Sequence, residues 1–356
     1  ATRYMTQVTG RDPLTGLKTS DNNQSKMLNA IRSFEIVTKL GQAVIGNASQ
    51  SNMTALITGY GNLAKGFQAL RSEGGKDFAR MAGATFEQLQ RDMVEAIGPS
   101  KLGGEVLKYT GFSKVEEFNR MLAANAGKVF AQDMVEKLKN GAVGNAAETY
   151  KRHLRAMGIE PMEVVSRGFQ LTKDEQLKAA RSVIERSQFK VRPQELPLYW
   201  NGPMGKLVSQ FSSFGFKAAK MIKDEVINEA RQGNYAPLAR FALATPLVGE
   251  VFGDIQSVVK GGRERPQDTL SRLADNYASI GAMGIFWDAF RASGYGELGV
   301  LRRMAGPGLS DLAQIAGGVR DPKKLLKFAT QNIPVIGPPI TRNFLLNQNQ
   351  NQTQGK

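Results

Sequence analysis

Apolar side chains recur with the 3.6-residue period of an α-helix along most of this 356-residue chain. An early example is the series Leu28, Ile31, Phe34, Val37 and Leu40, which ends at Gly41. No segment shows the sustained alternation of apolar and polar residues that a half-buried strand requires. Because this period does not fit a sheet, the sequence predicts an all-α fold.

Three segments have the spacing of a capping box, in which a hydroxyl residue and a Glu or Gln three residues later each accept a hydrogen bond from the other's backbone amide. The pairs are Thr85 with Gln88, Ser113 with Glu116, and Thr172 with Glu175. Each pair precedes an apolar helical run, so each predicts the first turn of a helix. Gly127 interrupts the run after Ser113, and glycine is unfavourable inside a helix.

Three prolines between Val191 and Pro203 break the helical pattern, because proline pushes its predecessor out of the α region. We predict an extended strap here that joins two multi-helix blocks. The chain begins at Ala1 without the apolar core of a signal peptide, so we expect a processed protein or a piece of a longer one. The predicted divisions are an irregular arm (1–24), an N-terminal helical block (25–190), the strap (191–204), a C-terminal helical block (205–346) and a disordered polar tail (347–356).

The residue types present limit the chemistry that is available. The chain has no cysteine and one histidine, His153. Disulfides, thiolate metal sites and two-histidine metal sites are therefore excluded. His153 lies in a basic helical stretch, and we interpret it as a solvated helix residue and not as a catalytic group. We predict no catalytic residue, no metal and no cofactor.

Lysine and arginine outnumber aspartate and glutamate by 47 to 32, which gives a net charge of +15. An acidic partner, either nucleic acid or an anionic membrane surface, is consistent with this charge. The most positive block runs from Leu301 to the end, with eight basic residues against two acidic ones. We interpret it as solvated surface, with sequence-independent contact to phosphates as the alternative. No window reaches the ~18 apolar residues of a membrane-spanning helix.

The helix after the strap has an apolar stripe that is typical of core packing. The stripe consists of Leu207, Phe211, Phe214, Ala218, Met221 and Ile222. Projected as a regular helix, Phe216 and Ile227 fall on the other side, near Lys220 and Lys223. This second strip indicates contact with a neighbouring subunit or a membrane interface, although burial on both sides within one chain explains it equally well. The predicted self-assembly or partner contacts are Leu198, Trp200, Phe216, Lys220, Lys223 and Ile227.

Residues 175–230 resemble a segment of the large internal virion proteins of tailed bacteriophages. The resemblance rests on the order of four stretches: ARSVIERSQF from Ala180, PQELP from Pro193, GPMGKLVSQFSSF from Gly202, and the basic helix Lys217 to Lys223. That group includes ejection proteins and the related giant polyvalent and virion-polymerase polypeptides. The stretches contain no catalytic motif, so no active-site residue is carried over.

The resemblance implies a non-enzymatic structural module that is packaged in the capsid near the portal and leaves with the genome. Such proteins help to form a conduit for DNA across the bacterial envelope. The implied partners are further copies of the chain, other internal, portal or tail proteins of the phage, genome DNA without sequence preference, and transiently the bacterial envelope. The alternatives are the packaging segment of a virion-associated RNA polymerase and a peptidoglycan-cleaving virion enzyme.

Overall fold

A computed structural model describes residues 50–85, 87–88, 112–188, 212–259 and 264–279 of the protein. The regular secondary structure of these residues is helical, which confirms the all-α fold. The predicted arm, strap and tail lie outside the described residues. In chain order the elements are α1 (Ser51–Thr58), α2 (Tyr60–Leu70), α3 (Glu73–Met81), α4 (Phe112–Lys139), α5 (Gly144–Ala156), α6 (Pro161–Ser166), α7 (Lys173–Ser187), α8 (Ser212–Ile222), a π-helical turn (Lys223–Ile227), α9 (Asn228–Arg231), α10 (Ala236–Val259) and α11 (Thr269–Ser279).

Helix α4 is the centre of the larger core. Helices α1, α2, α3, α5 and α7 all contact it. Residues 122–127 in its middle are buried without interruption, as expected of a helix that is surrounded by others. The one strongly polar member of this run, Asn125, is satisfied, because its Nδ2 donates to the carbonyls of Gly75 (3.1 Å) and Met121 (3.0 Å).

Two glycines allow helices to approach α4 closely. A methyl group on Gly66 of α2 would lie 2.7 Å from the backbone nitrogen of Ala126. A methyl group on Gly127 would lie 2.9 Å from the carbonyl oxygen of Ala179 on α7. Gly127 therefore does not weaken α4 as its propensity alone suggests. It provides the space in which α7 packs, and burial of α7 outweighs the lower helix propensity of glycine.

Helix α1 connects the segments before and after the predicted strap. Its Met53 and Leu56 form a buried cluster with Ala218 and Met221 of α8. Ala218 and Met221 belong to the stripe predicted as core, and Ile222 of that stripe packs against the cluster. The Asn52 side chain of α1 also donates to Thr245 of α10 at 3.2 Å.

The three predicted capping boxes have different outcomes. The box at Thr172 and Glu175 is confirmed, since each side chain accepts from the other's backbone amide, at 3.2 and 2.8 Å. At Thr85, the hydroxyl accepts from the Gln88 amide at 3.2 Å. The box at Ser113 is wrong, because α4 already includes Phe112. Its expected partner, Glu116, instead forms a buried ion pair with Arg120, 2.9 Å apart.

Helix α10 contains Pro246 in its interior. Proline has no N–H, so the carbonyl of Ala242, four residues earlier, loses its partner within the helix. The hydroxyl of Tyr277 on α11 donates to the carbonyls of Ala242 and Phe241, both at 3.3 Å. Helix α11 thus supplies a hydrogen-bond donor at the position where Pro246 removes one from α10.

We predict opposite effects for the same substitution at two positions of α2. Gly66→Ala should destabilise the protein by about 1–3 kcal/mol, because the new methyl group collides with the backbone of α4. Gly61→Ala is the matched control, since no atom lies within 4 Å of its methyl position. It should be neutral or stabilising by up to about 1 kcal/mol, owing to the better helix propensity of alanine. Thermal unfolding followed by circular dichroism measures both; similar melting temperatures would contradict the close approach of α2 and α4.

Candidate functional site

The predicted contact residues of the helix after the strap are only partly accessible. Ile227 is exposed at 42%, while Phe216 is half-buried. Lys220 and Lys223 are exposed, and Nζ of Lys220 lies 2.6 Å from Oδ2 of Asp224. A shared contact surface of these four residues stays a prediction. Leu198 and Trp200 lie outside the described residues.

A π-helical turn follows α8 and includes Lys223–Ile227. In such a turn the hydrogen bonds run from residue i to i+5, so one turn contains an additional residue. The regular projection that placed Phe216 and Ile227 on one face therefore does not hold across this turn. Within this turn, Val226 is buried, and Glu225 forms an ion pair with Arg186 of α7.

Glu225 binds Arg186 at the end of α7 through both carboxylate oxygens. Nε of Arg186 donates to Oε1 at 2.7 Å, and Nη2 donates to Oε2. Both side chains are largely buried. A bidentate pair of this kind fixes orientation as well as distance. It therefore attaches the π turn to α7 in one geometry.

Glu229 of α9 is the centre of a second polar contact, which we call the Glu229 cluster: Arg152, His153, Glu229 and Asn234. Nη2 of Arg152 donates to Oε2 of Glu229 at 2.6 Å, and Nδ2 of Asn234 donates to the same oxygen at 2.8 Å. Nε2 of His153 lies 3.2 Å from it. The cluster thus attaches α5 to α9, across 77 positions of the chain.

The interpretation of His153 as a solvated residue is wrong. Its exposed fraction is 7%, and its ring packs edge-on against Phe130 of α4, with 5.6 Å between the ring centroids. The physical reason is the position of α5, which lies with one face on α4 and its end beside α9. A stretch that reads as a basic surface helix therefore contains one buried, paired imidazole.

The electrostatics of the Glu229 cluster indicate a structural role. Burial raises the pKa of the Glu229 carboxyl, but hydrogen bonds from His153, Asn234 and Arg152 outweigh burial and lower this pKa to about 2. Such a carboxylate is ionised at neutral pH and cannot act as a general acid there. Three donors also converge on its Oε2, which limits the use of that oxygen as a base. The cluster is suited to holding helices together.

The sequence contained a weak signal for these contacts. Glu225 and Glu229 stand four positions apart within a basic helix, a spacing that directs two carboxylates to similar sides of a helix. Arg186 lies 39 positions from Glu225, and Arg152 lies 77 positions from Glu229. Only the packing of α5 and α7 around α4 brings them within reach.

Helix α10 exposes an apolar surface that we call the α10 stripe. Its five members lie 43% to 75% exposed to solvent. One edge of the stripe is acidic, and Glu250 and Asp254 on that edge are bound by Arg272 and Arg265. The sequence alone did not predict this stripe, because Arg240, Glu250 and Asp254 interrupt the apolar residues of α10. The members are Leu243, Leu247, Val251, Ile255 and Val258.

The described part of the chain offers neither a metal site nor a membrane span. It contains no group of three or more His, Asp or Glu side chains arranged to hold a metal ion. Among its helices, none combines the length and the apolar character needed to cross a membrane.

We predict that the contribution of Glu229 to stability depends on pH. Because its folded pKa of about 2 lies below the ordinary 4.5, the contribution is complete above pH 4.5 and is lost as pH falls toward 2. Glu229→Gln should therefore cost about 3 kcal/mol at neutral pH, which is the free-energy equivalent of lowering the pKa of this carboxyl from 4.5 to about 2. The difference from the natural protein should shrink as pH falls to about 3.

Denaturant unfolding at the two pH values measures this difference. Glu148→Gln is the matched control, because Glu148 forms an exposed pair with Lys151 at 2.8 Å. An exposed pair contributes about 0–1 kcal/mol, so the control should change little at either pH. A cost for Glu229→Gln that is equal at both pH values would contradict the ionised state of Glu229.

No protein-family model, curated protein or solved structure matches this chain. The support for a function therefore comes from the chemistry of the described residues and from the sequence resemblance over residues 175–230.

Proposed function

We propose that the chain is a non-enzymatic structural module of a phage ejection protein. It is packaged in the capsid and released with the genome to help form a conduit for DNA across the bacterial envelope. One observation carries the proposal: the segment that resembles internal virion proteins contains Arg186, Glu225 and Glu229, which make the long-range ionic contacts between helices. The resemblance therefore falls on residues that hold helices together, which supports a structural role.

The state of the sole histidine supports a non-enzymatic role. His153 is the only histidine of the chain, and its ring is packed between Phe130 and Glu229. A general base must reach the proton that it removes from a substrate. A buried imidazole in the middle of a helical core is poorly placed for this task.

The charge of the chain supports a place beside DNA. A net charge of +15 favours contact with the packaged genome, and such contact needs no base recognition. In this proposal the protein lies in the virion interior near the portal and later in the host envelope. Further copies of the chain and the portal or tail proteins are its partners. The packaging segment of a virion-associated RNA polymerase is the alternative that shares the same resemblance.

The proposal predicts the location of the protein. Mass spectrometry should detect the chain in purified virions of the phage that encodes it, and much less of it after ejection triggered in vitro. A polymerase packaging segment would be found within a much larger polypeptide that contains polymerase peptides. Absence of the chain from intact virions would contradict both readings, and cleavage of peptidoglycan by the purified chain would favour the enzyme instead.

The charge makes a second prediction, on DNA binding. Affinity should be independent of sequence and should fall at least about tenfold between ~50 and ~200 mM salt, because binding releases condensed counterions. Fluorescence anisotropy with two unrelated duplexes measures both properties. Affinity that stays constant over this range would show that the charge does not serve the genome.

A further inference from the structure

The α10 stripe is a continuous apolar surface on a single helix. Leu247 and Ile255 each stand four residues from Val251, while Leu243 stands eight residues before it and Val258 seven after it. These spacings place all five side chains on one side of α10. Soluble monomers rarely expose a contiguous apolar surface of this length, so the stripe is expected to be covered.

We propose that two copies of the chain associate through the α10 stripe, antiparallel, with the two-fold axis at Val251. In this register Leu247 faces the second copy's Ile255, Leu243 faces the second copy's Val258, and the two Val251 side chains meet. The nearly equal spacing on either side of Val251 makes the stripe complementary to itself. Self-complementarity is what an isologous two-fold contact requires.

The charges around the stripe favour a second copy over DNA or an anionic membrane. Although the whole chain is strongly basic, residues 241–259 of α10 contain two carboxylates, Glu250 and Asp254, and no lysine or arginine. A helix that lies on DNA or on an anionic membrane carries lysine or arginine beside its apolar face, and the stripe lacks these residues. The occupant is therefore an apolar protein surface, and the α10 stripe itself is one.

The acidic edge of the stripe does not oppose the pairing. Glu250 binds Arg272, and Oδ1 of Asp254 lies 2.6 Å from Nη1 of Arg265 and 3.0 Å from Nη2 of Arg272. A two-fold axis brings the same edge of both copies together. Because each carboxylate already has a guanidinium partner, the contact leaves no carboxylate unpaired.

The register can be measured because the chain contains no cysteine. Helix axes pack about 8–10 Å apart and Cα atoms lie about 2.3 Å from the axis, so the two Val251 Cα atoms approach to about 5 Å. A disulfide spans this distance. The two Val258 residues are separated by fourteen positions along the pair, which is about 21 Å.

Single-cysteine variants of the full chain therefore test the axis. Under mild oxidation, Val251→Cys should form a covalent dimer, whereas the control Val258→Cys should stay monomeric on a non-reducing gel. A mixture of Leu243→Cys and Val258→Cys should form the mixed dimer. Crosslinking of Val258→Cys to itself, or no crosslinking of Val251→Cys, would overturn the proposed register.

Sedimentation velocity tests the surface without a crosslink. The natural chain should sediment as a dimer, and Leu247→Glu should weaken dimerisation at least tenfold without lowering the melting temperature. The control is Met162→Glu on α6, which adds the same charge at a similarly exposed apolar residue and should remain dimeric. A monomeric natural chain, with the stripe covered by residues 280–346 or by lipid, would overturn the proposal, as would a dimeric Leu247→Glu. The pairing does not depend on a virion location, so it can fail or hold independently of the proposed function.

Discussion

The burial of α4 on nearly every side is the constraint on which the rest of the fold depends. Five helices contact α4, and they can do so only if some of its residues are small. Ala123, Ala124, Ala126 and Gly127 meet this requirement, and Gly66 of α2 supplies the same space from the opposite partner. Close contact between backbones increases dispersion attraction, and it also makes the core intolerant of added volume.

Buried ion pairs at Glu225 and Glu229 then determine how the later helices join this core. Removing such groups from water is costly, and well-packed apolar residues of similar volume would often stabilise a protein as much. The main effect of these pairs is therefore to fix how the later helices are oriented on the core, and their net contribution to total stability is smaller. Arg186 binds Glu225 through two oxygens, and Glu229 receives three donors, so a shift of the π turn by one residue would break both contacts.

The sequence alone predicted the features that depend on local periodicity and local hydrogen bonds. It predicted the helical class, the cap at Thr172 and the core positions of Ala218 and Met221. It did not predict that His153 is buried or that Glu225 lies in a π turn. These properties depend on partners 39 to 77 positions away, whose approach is set by the packing of α4 and not by local residue preference.

The bond from Tyr277 to the carbonyls beside Pro246 has a consequence for the α10 stripe. A helix with an interior proline bends where its hydrogen bonds are lost, and the tyrosine compensates for that loss only while α11 is docked. We therefore expect α10 and α11 to unfold as one cooperative unit. If α11 detaches, the carbonyl of Ala242 loses this donor, and α10 is weakened where Leu243 and Leu247 of the stripe lie. The hydrogen bonding of the helix that carries the stripe thus depends on a phenol from the neighbouring helix.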